Sequence, residues 1–234
     1  MIKSSILLLA IPFLICFVAV ADDGNNQALE AKPSVFVGTA PGCAPFPPGS
    51  NIVTAAWLAG LGLPDDGSSN LTPSTPPNRD PHFGLLLSKN GSTADCSAAQ
   101  ATITGAKGAV VTELGFDYRN GGHCGAGAPR FNVTTHDNVT HFFGCAGGTP
   151  APAPQDPVEW TRVRFTPAQG FPPVTPGETI QSIGIVYDEG TDTPSVQDPN
   201  GIGLAVLDNI DVNGKLITRG PNDRMENNDN GNNQ

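Results

Sequence analysis

Glycine and proline make up more than a fifth of this chain, with 28 Gly and 23 Pro in 234 residues. Glycine lowers helix stability and proline removes a helix hydrogen bond, so long helices cannot survive such punctuation. Short strands closed by turns can. No stretch sustains a 3.6-residue apolar period beyond two turns, and no heptads occur, which excludes a coiled coil. A single helical turn over Ala56–Leu61 is the one local exception.

The apolar residues fall instead into short runs: Ser34–Gly38, Asn51–Trp57, His82–Ser88, Ala101–Thr104, Ala109–Tyr118, Pro129–Thr135, Asn138–Gly144, Val158–Phe165, Thr179–Tyr187, Gly203–Leu207 and Ile210–Thr218. Several alternate with period two, the mark of a strand with one face on a core. In Leu114-Gly-Phe116-Asp-Tyr118 the apolar residues share one parity, and the same holds for Phe131/Val133 and for Ile183/Ile185/Tyr187. Many such segments predict an all-β fold, an antiparallel β-sandwich of jelly-roll type with about ten strands. The proline-rich stretch from Gly147 to Pro157 reads as a polyproline-like connecting loop.

The termini differ in kind from this core. Lys3 followed by the apolar run Ile6–Val20 and by Ala19-Val20-Ala21 reads as a signal peptide over 1–21, the run being too short to span a bilayer. Residues 22–33 are expected to form a flexible arm, 34–219 the domain, and 220–234 a disordered Asn-rich tail. Loss of the signal removes Cys16 and leaves Cys43, Cys96, Cys124 and Cys145, an even number that argues for two disulfides in an exported protein. Thr135-His136-Asp137-Asn138 looks like a hairpin turn that would bring Cys124 and Cys145 together, leaving Cys43 with Cys96. Four sequons, at Asn70, Asn90, Asn132 and Asn138, are glycosylation sites if the host is a eukaryote.

Charge narrows the partners. With 22 acidic and 12 basic residues the net charge is −10, which opposes binding to nucleic acid and to anionic membranes. The secreted chain is expected to be soluble, with no membrane insertion.

Trp160, Arg162 and Arg164 share one parity, opposite to Val163 and Phe165. If the latter face the core, an exposed Trp stands in line with two donors, and Tyr118, Asp117 and Arg130 extend that surface. The competing reading packs Trp160 into the core or beneath an edge loop. Trp57 reads as core. Asp188-Glu189-Gly190-Thr191-Asp192, with Asp198, Asp208 and Asp211, offers the hard oxygens a Ca²⁺ ion takes, although a solvated acidic turn explains the run equally well. His141 shares parity with Phe143 and reads as a buried, hydrogen-bonded histidine, and His123 as a loop residue beside a disulfide. No G-x-S-x-G nucleophile signature is present. Glu113 and Asp117 share a strand face about 13 Å apart, too far for a glycosidase pair.

The stretches Gly115-Phe-Asp-Tyr-Arg, Ala128-Pro-Arg-Phe-Asn-Val, Trp160-Thr-Arg-Val-Arg-Phe and Leu207-Asp-Asn-Ile-Asp-Val resemble secreted jelly-roll domains of the carbohydrate-binding-module and galactose-binding-like kind over residues 34–218. The resemblance implies a non-catalytic protein that binds glycan or another extracellular polymer. It also implies a structural calcium near the last strand, held by Asp188, Glu189, Asp192 and Asp208. A structural or surface-matrix component is the alternative, and a hydrolase without a recognisable motif the third.

Overall fold

A computed structural model describes residues 28–38, 52–63 and 82–217. The expected signal peptide, Cys43, Asn70 and the Asn-rich tail lie outside the described residues, as does the first half of the expected arm. The described residues form twelve strands: β1 (Glu30–Val37), β2 (Ile52–Leu58), β3 (Gly84–Asn90), β4 (Ser97–Thr104), β5 (Leu114–Arg119), β6 (Arg130–Thr135), β7 (Thr140–Gly144), β8 (Thr149–Pro152), β9 (Trp160–Phe165), β10 (Ile180–Tyr187), β11 (Leu204–Val212) and β12 (Lys215–Ile217). Every pairing is antiparallel. One sheet runs β1-β4-β10-β6-β7 and the other β2-β3-β11-β5-β9-β8, with β12 on β11. Among the described residues no helix is long and apolar enough to cross a membrane.

The alternating positions fill the space between the sheets. Leu114, Phe116, Val163, Phe165 and Leu207 come from one layer, and Phe131, Val133, Phe143, Ile183 and Ile185 from the other, all buried. Phe165 is the hub of an aromatic cluster, with ring centroids 5.9, 6.1 and 5.8 Å from Phe116, Phe131 and Phe143. Tilted and edge-on arrangements of this kind add to the area term of burial.

Four boundaries depart from the sequence reading. β1 begins at Glu30, inside the expected flexible arm, because residues 30–37 pair residue for residue with Thr104–Ser97 of β4. Ala56–Leu61 forms no helical turn, since β2 continues to Leu58 beside β3. Part of the expected polyproline-like loop is β8, an edge strand where Pro150 and Pro152 have no ladder to break on their outer side. The two expected strands Gly203–Leu207 and Ile210–Thr218 are instead β11 and β12. A register shift between Asp208 and Asp211, with Asn209 at φ 44°, inserts one extra residue into β11. That bulge keeps Leu207 and Ile210 both facing the core, although they are three apart.

The predicted hairpin is present. β6 and β7 pair from Arg130↔Gly144 to Thr134↔Thr140, and Asn138 takes the left-handed conformation at φ 64°. The Asp137 carboxylate accepts hydrogen bonds from the Thr135 hydroxyl and the Val139 amide at the turn. Cys124 and Cys145 are bridged at the hairpin's open end, with a Cα–Cα distance of 5.2 Å. It is the one disulfide with both cysteines among the described residues; Cys43, the expected partner of Cys96, lies outside them.

Candidate functional site

The bulge in β11 turns Asp208, Asn209 and Asp211 to the outer face of the seven-stranded sheet, where they meet Asp117 of β5 and Arg162 and Arg164 of β9. Arg162 donates to both oxygens of the buried Asp117, at 2.9 and 3.0 Å, and Asn209 Nδ2 donates to it at 2.8 Å. Arg164 lies 3.6 Å from Asp117 and 3.3 Å from Asp211. Gly115 makes room, since a Cβ there would collide with the Arg164 side chain. The hydrogen bond to Asp117 raises the Arg162 guanidinium, whereas burial lowers that of Arg164 and pushes the Asp211 carboxyl up. Asp117, Arg162 and Arg164 therefore do come together, but as a network whose charges satisfy one another.

The aromatic part of that expectation is corrected. Trp160 is 3% exposed, beneath Leu63, Ala153 and Val206. The segment after β2 crosses the outer face, held by the Leu63 amide donating to Asp208 Oδ2 at 2.6 Å. Tyr118 faces the core, and Arg130 belongs to the other sheet. Trp57 is half-buried, its indole N–H donating to the Ala31 carbonyl at 2.9 Å.

The acidic run is likewise dispersed. Asp188 pairs bidentately with Arg130 at 2.6 and 2.7 Å, and Glu189 Oε2 lies 2.6 Å from His123 Nε2. Asp192 accepts from the Thr93 amide and hydroxyl, both at 2.8 Å, which hold its carboxyl low; Asp198 accepts from the Ile202 amide. Asp208 sits on the other sheet with Leu63 and Asn209. Among the described residues no three His, Cys, Asp or Glu side chains are grouped to hold a metal ion, and Asp188, Glu189, Asp192 and Asp208 each keep a different partner. His141 is buried as expected: Nδ1 lies 2.7 Å from the Pro172 carbonyl and Nε2 3.0 Å from the Thr135 hydroxyl. Of the sequons, Asn90 and Asn138 are exposed, while Asn132 is half-buried with its Oδ1 accepting from Arg130 Nε.

Two exposed aromatic rings mark a different place. Phe142, the outward neighbour of core residue Phe143, is 39% exposed, and Phe171 is 79% exposed. Their backbones exchange hydrogen bonds of 3.0 and 2.9 Å, an isolated bridge on the outer edge of β7. The buried His141 ties down the adjoining Pro172 carbonyl and so fixes where Phe171 stands. Arg130 Cζ lies 5.8 Å from the Phe142 ring centroid, within cation–π range. Gln169 completes the lining, its amide donating to the Gly147 carbonyl at 3.0 Å. These groups line an open cleft of about 510 Å³, a size that suits a small ligand or a sugar unit.

Phe142 was within reach of sequence reasoning: two adjacent phenylalanines on a strand cannot both face the core. Phe171 was not, because nothing local connects a proline-flanked loop residue to the β7 edge.

No family model matches this sequence, and no curated protein matches it. Among solved structures the chain is similar to the family 11 carbohydrate-binding module of the cellulosomal cellulase Lic26A-Cel5E of Clostridium thermocellum. The TM-score is 0.39 at 13% identity, over 80% of this chain and 88% of that one.

Proposed function

We propose that this is a secreted, non-catalytic protein that binds an extracellular glycan in the Phe142–Phe171 cleft. The observation that carries the reading is the pair of exposed rings fixed beside a tethered guanidinium. Sugar rings present C–H faces that stack on aromatic rings, and hydroxyl edges that polar groups read. Phe171 and Phe142 supply the first kind of contact, and Arg130 and Gln169 the second. Because the partners of Arg130 and Gln169 hold them in place, little side-chain entropy is lost on binding. Export rests on the amino-terminal sequence pattern and the even cysteine count of the remaining chain.

A glycan array probed with the purified protein tests the reading. Binding is expected, and Phe171→Ala should weaken it at least about tenfold, the equivalent of about 1.4 kcal/mol. Silence across the array, or unaltered binding by Phe171→Ala, would remove it. A structural or matrix role is the second reading, favoured by edge strand β1, whose Val35, Phe36 and Val37 are all exposed. Edge pairing between copies would appear as a mass that rises with concentration in light scattering.

A further inference from the structure

A second cavity, about 780 Å³, lies between the His123–Ala126 segment and the loop that follows β10. It shares Ala126 with the aromatic cleft, so the two adjoin at the strap Gly125–Gly127. Pro194, Val196 and Pro199 make much of its wall apolar, and Glu189 is the one carboxylate in its lining.

Glu189 is held from one side only. His123, 1% exposed, also lines the cavity and meets Oε2 through Nε2; its Nδ1 makes no hydrogen bond, with Asp198 Oδ2 3.7 Å away. Glu189 keeps 18% of its side chain exposed, and Oε1 accepts no hydrogen bond from the described residues. Gly127 leaves the space in which Oε1 lies, since any Cβ there would collide with it.

Charge then selects among glycans. Arg130 is neutralised by Asp188, so the aromatic cleft offers no net attraction to an anion. Beside the strap, Glu189 and Asp198 flank a single histidine, and the whole chain carries −10. Uronates and sulfated sugars would meet repulsion. An ammonium group would supply the donor that Oε1 lacks, in a largely apolar setting where charge-assisted hydrogen bonds are strong.

We infer that the ligand is an amino-sugar polymer with free amines, one ring stacked on Phe171 and the ammonium of a neighbouring unit on Glu189 Oε1. This rests on the glycan reading above and adds the ligand's class. His123 is a positioning residue that fixes the Glu189 carboxylate from behind.

Titration calorimetry with three tetrasaccharides tests it: fully deacetylated chitotetraose, its N-acetylated counterpart and cellotetraose. The deacetylated sugar should bind at least tenfold more tightly than either neutral one. Glu189→Gln should abolish that advantage, while Glu113→Gln, which removes an exposed carboxylate elsewhere, should leave it. Equal affinity for all three sugars would overturn the inference and leave glycan binding standing. So would an equal effect of the two variants, which would show diffuse attraction only. Should Glu189→Gln fail to fold, the wild-type comparison of amine with acetamide still decides. Silence towards every glycan would remove both readings together.

Discussion

Asp95→Ala should destabilise the protein by about 3–5 kcal/mol, the usual result of stranding one member of a buried ion pair. Lys89 shares the inward parity of Leu85 and Leu87 on β3, and its ammonium is buried. It lies 2.9 Å from Asp95 Oδ1 and donates to the carbonyls of Thr93 and Asp188 at 3.1 and 2.8 Å. Asp95 Oδ1 also accepts from the Ser97 amide and hydroxyl at 2.9 and 2.6 Å. Removing the carboxylate leaves a buried cation with two carbonyls and no counter-charge. Urea denaturation of Asp95→Ala, Lys89→Met and the double variant measures this, and the double variant should recover much of the loss. A loss below about 1 kcal/mol in Asp95→Ala would show that water reaches the ammonium.

The same pair sets an acid limit. Burial pushes the Asp95 carboxyl up, but hydrogen bonds from Ser97 and Lys89 and the lysine charge outweigh it and hold the group below its ordinary value. A carboxyl lowered on folding stabilises above its unfolded pKa of about 3.9, and that contribution fades as pH falls through the lower folded value. Asp95→Ala should therefore differ most from the wild type near neutrality and least in strong acid.

Cys124→Ala/Cys145→Ala is the second large effect. The bridge spans 21 residues, for which the loss of chain constraint amounts to about 3 kcal/mol, within a usual range of about 2–5. At ~2–4 °C per kcal/mol for a domain of this size, melting should fall by about 6–12 °C. Binding should suffer too, because the strap between the two cavities starts at the bridge. Gly125 donates to the Ala128 carbonyl and accepts from Ala146, one residue beyond Cys145. A melting temperature within 2 °C of the wild type under oxidising conditions would show that β6–β7 pairing alone holds this corner.

What the sequence showed and what it hid divide by distance along the chain. Alternation in β5, β6 and β10, the Thr135–Asn138 turn and the Cys124–Cys145 bridge are local signals, and all of them appear in the structure. The parity rule also placed Asp117, Arg162 and Arg164 on one face. It could not say that Leu63 would come from elsewhere to cover Trp160, nor that the bulge at Asn209 would bury three polar side chains on the outer face. The acidic loop looked like one cluster because its carboxylates are neighbours in sequence. In space Arg130, His123, Thr93 and Leu63 each claim one, and none of those partners is adjacent in the chain.

The route of the chain between layers has a kinetic side. Among the described strands, only β2–β3, β6–β7, β8–β9 and β11–β12 are consecutive sheet neighbours; every other consecutive pair lies in opposite layers. β11 cannot pair with β3 until Leu207 finds Leu85, and the same strand must also find β5, Asp208 against Asp117. Closing such long loops costs entropy before any contact compensates, which places folding in the millisecond-to-second range typical of sandwiches. The β6–β7 hairpin is local, whereas β11, central in the larger sheet, arrives after every strand but β12 and closes the ladders with β3 and β5. An emerging chain thus stays open, its β3 and β5 edges unpaired, until the stretch through Val212 has been made.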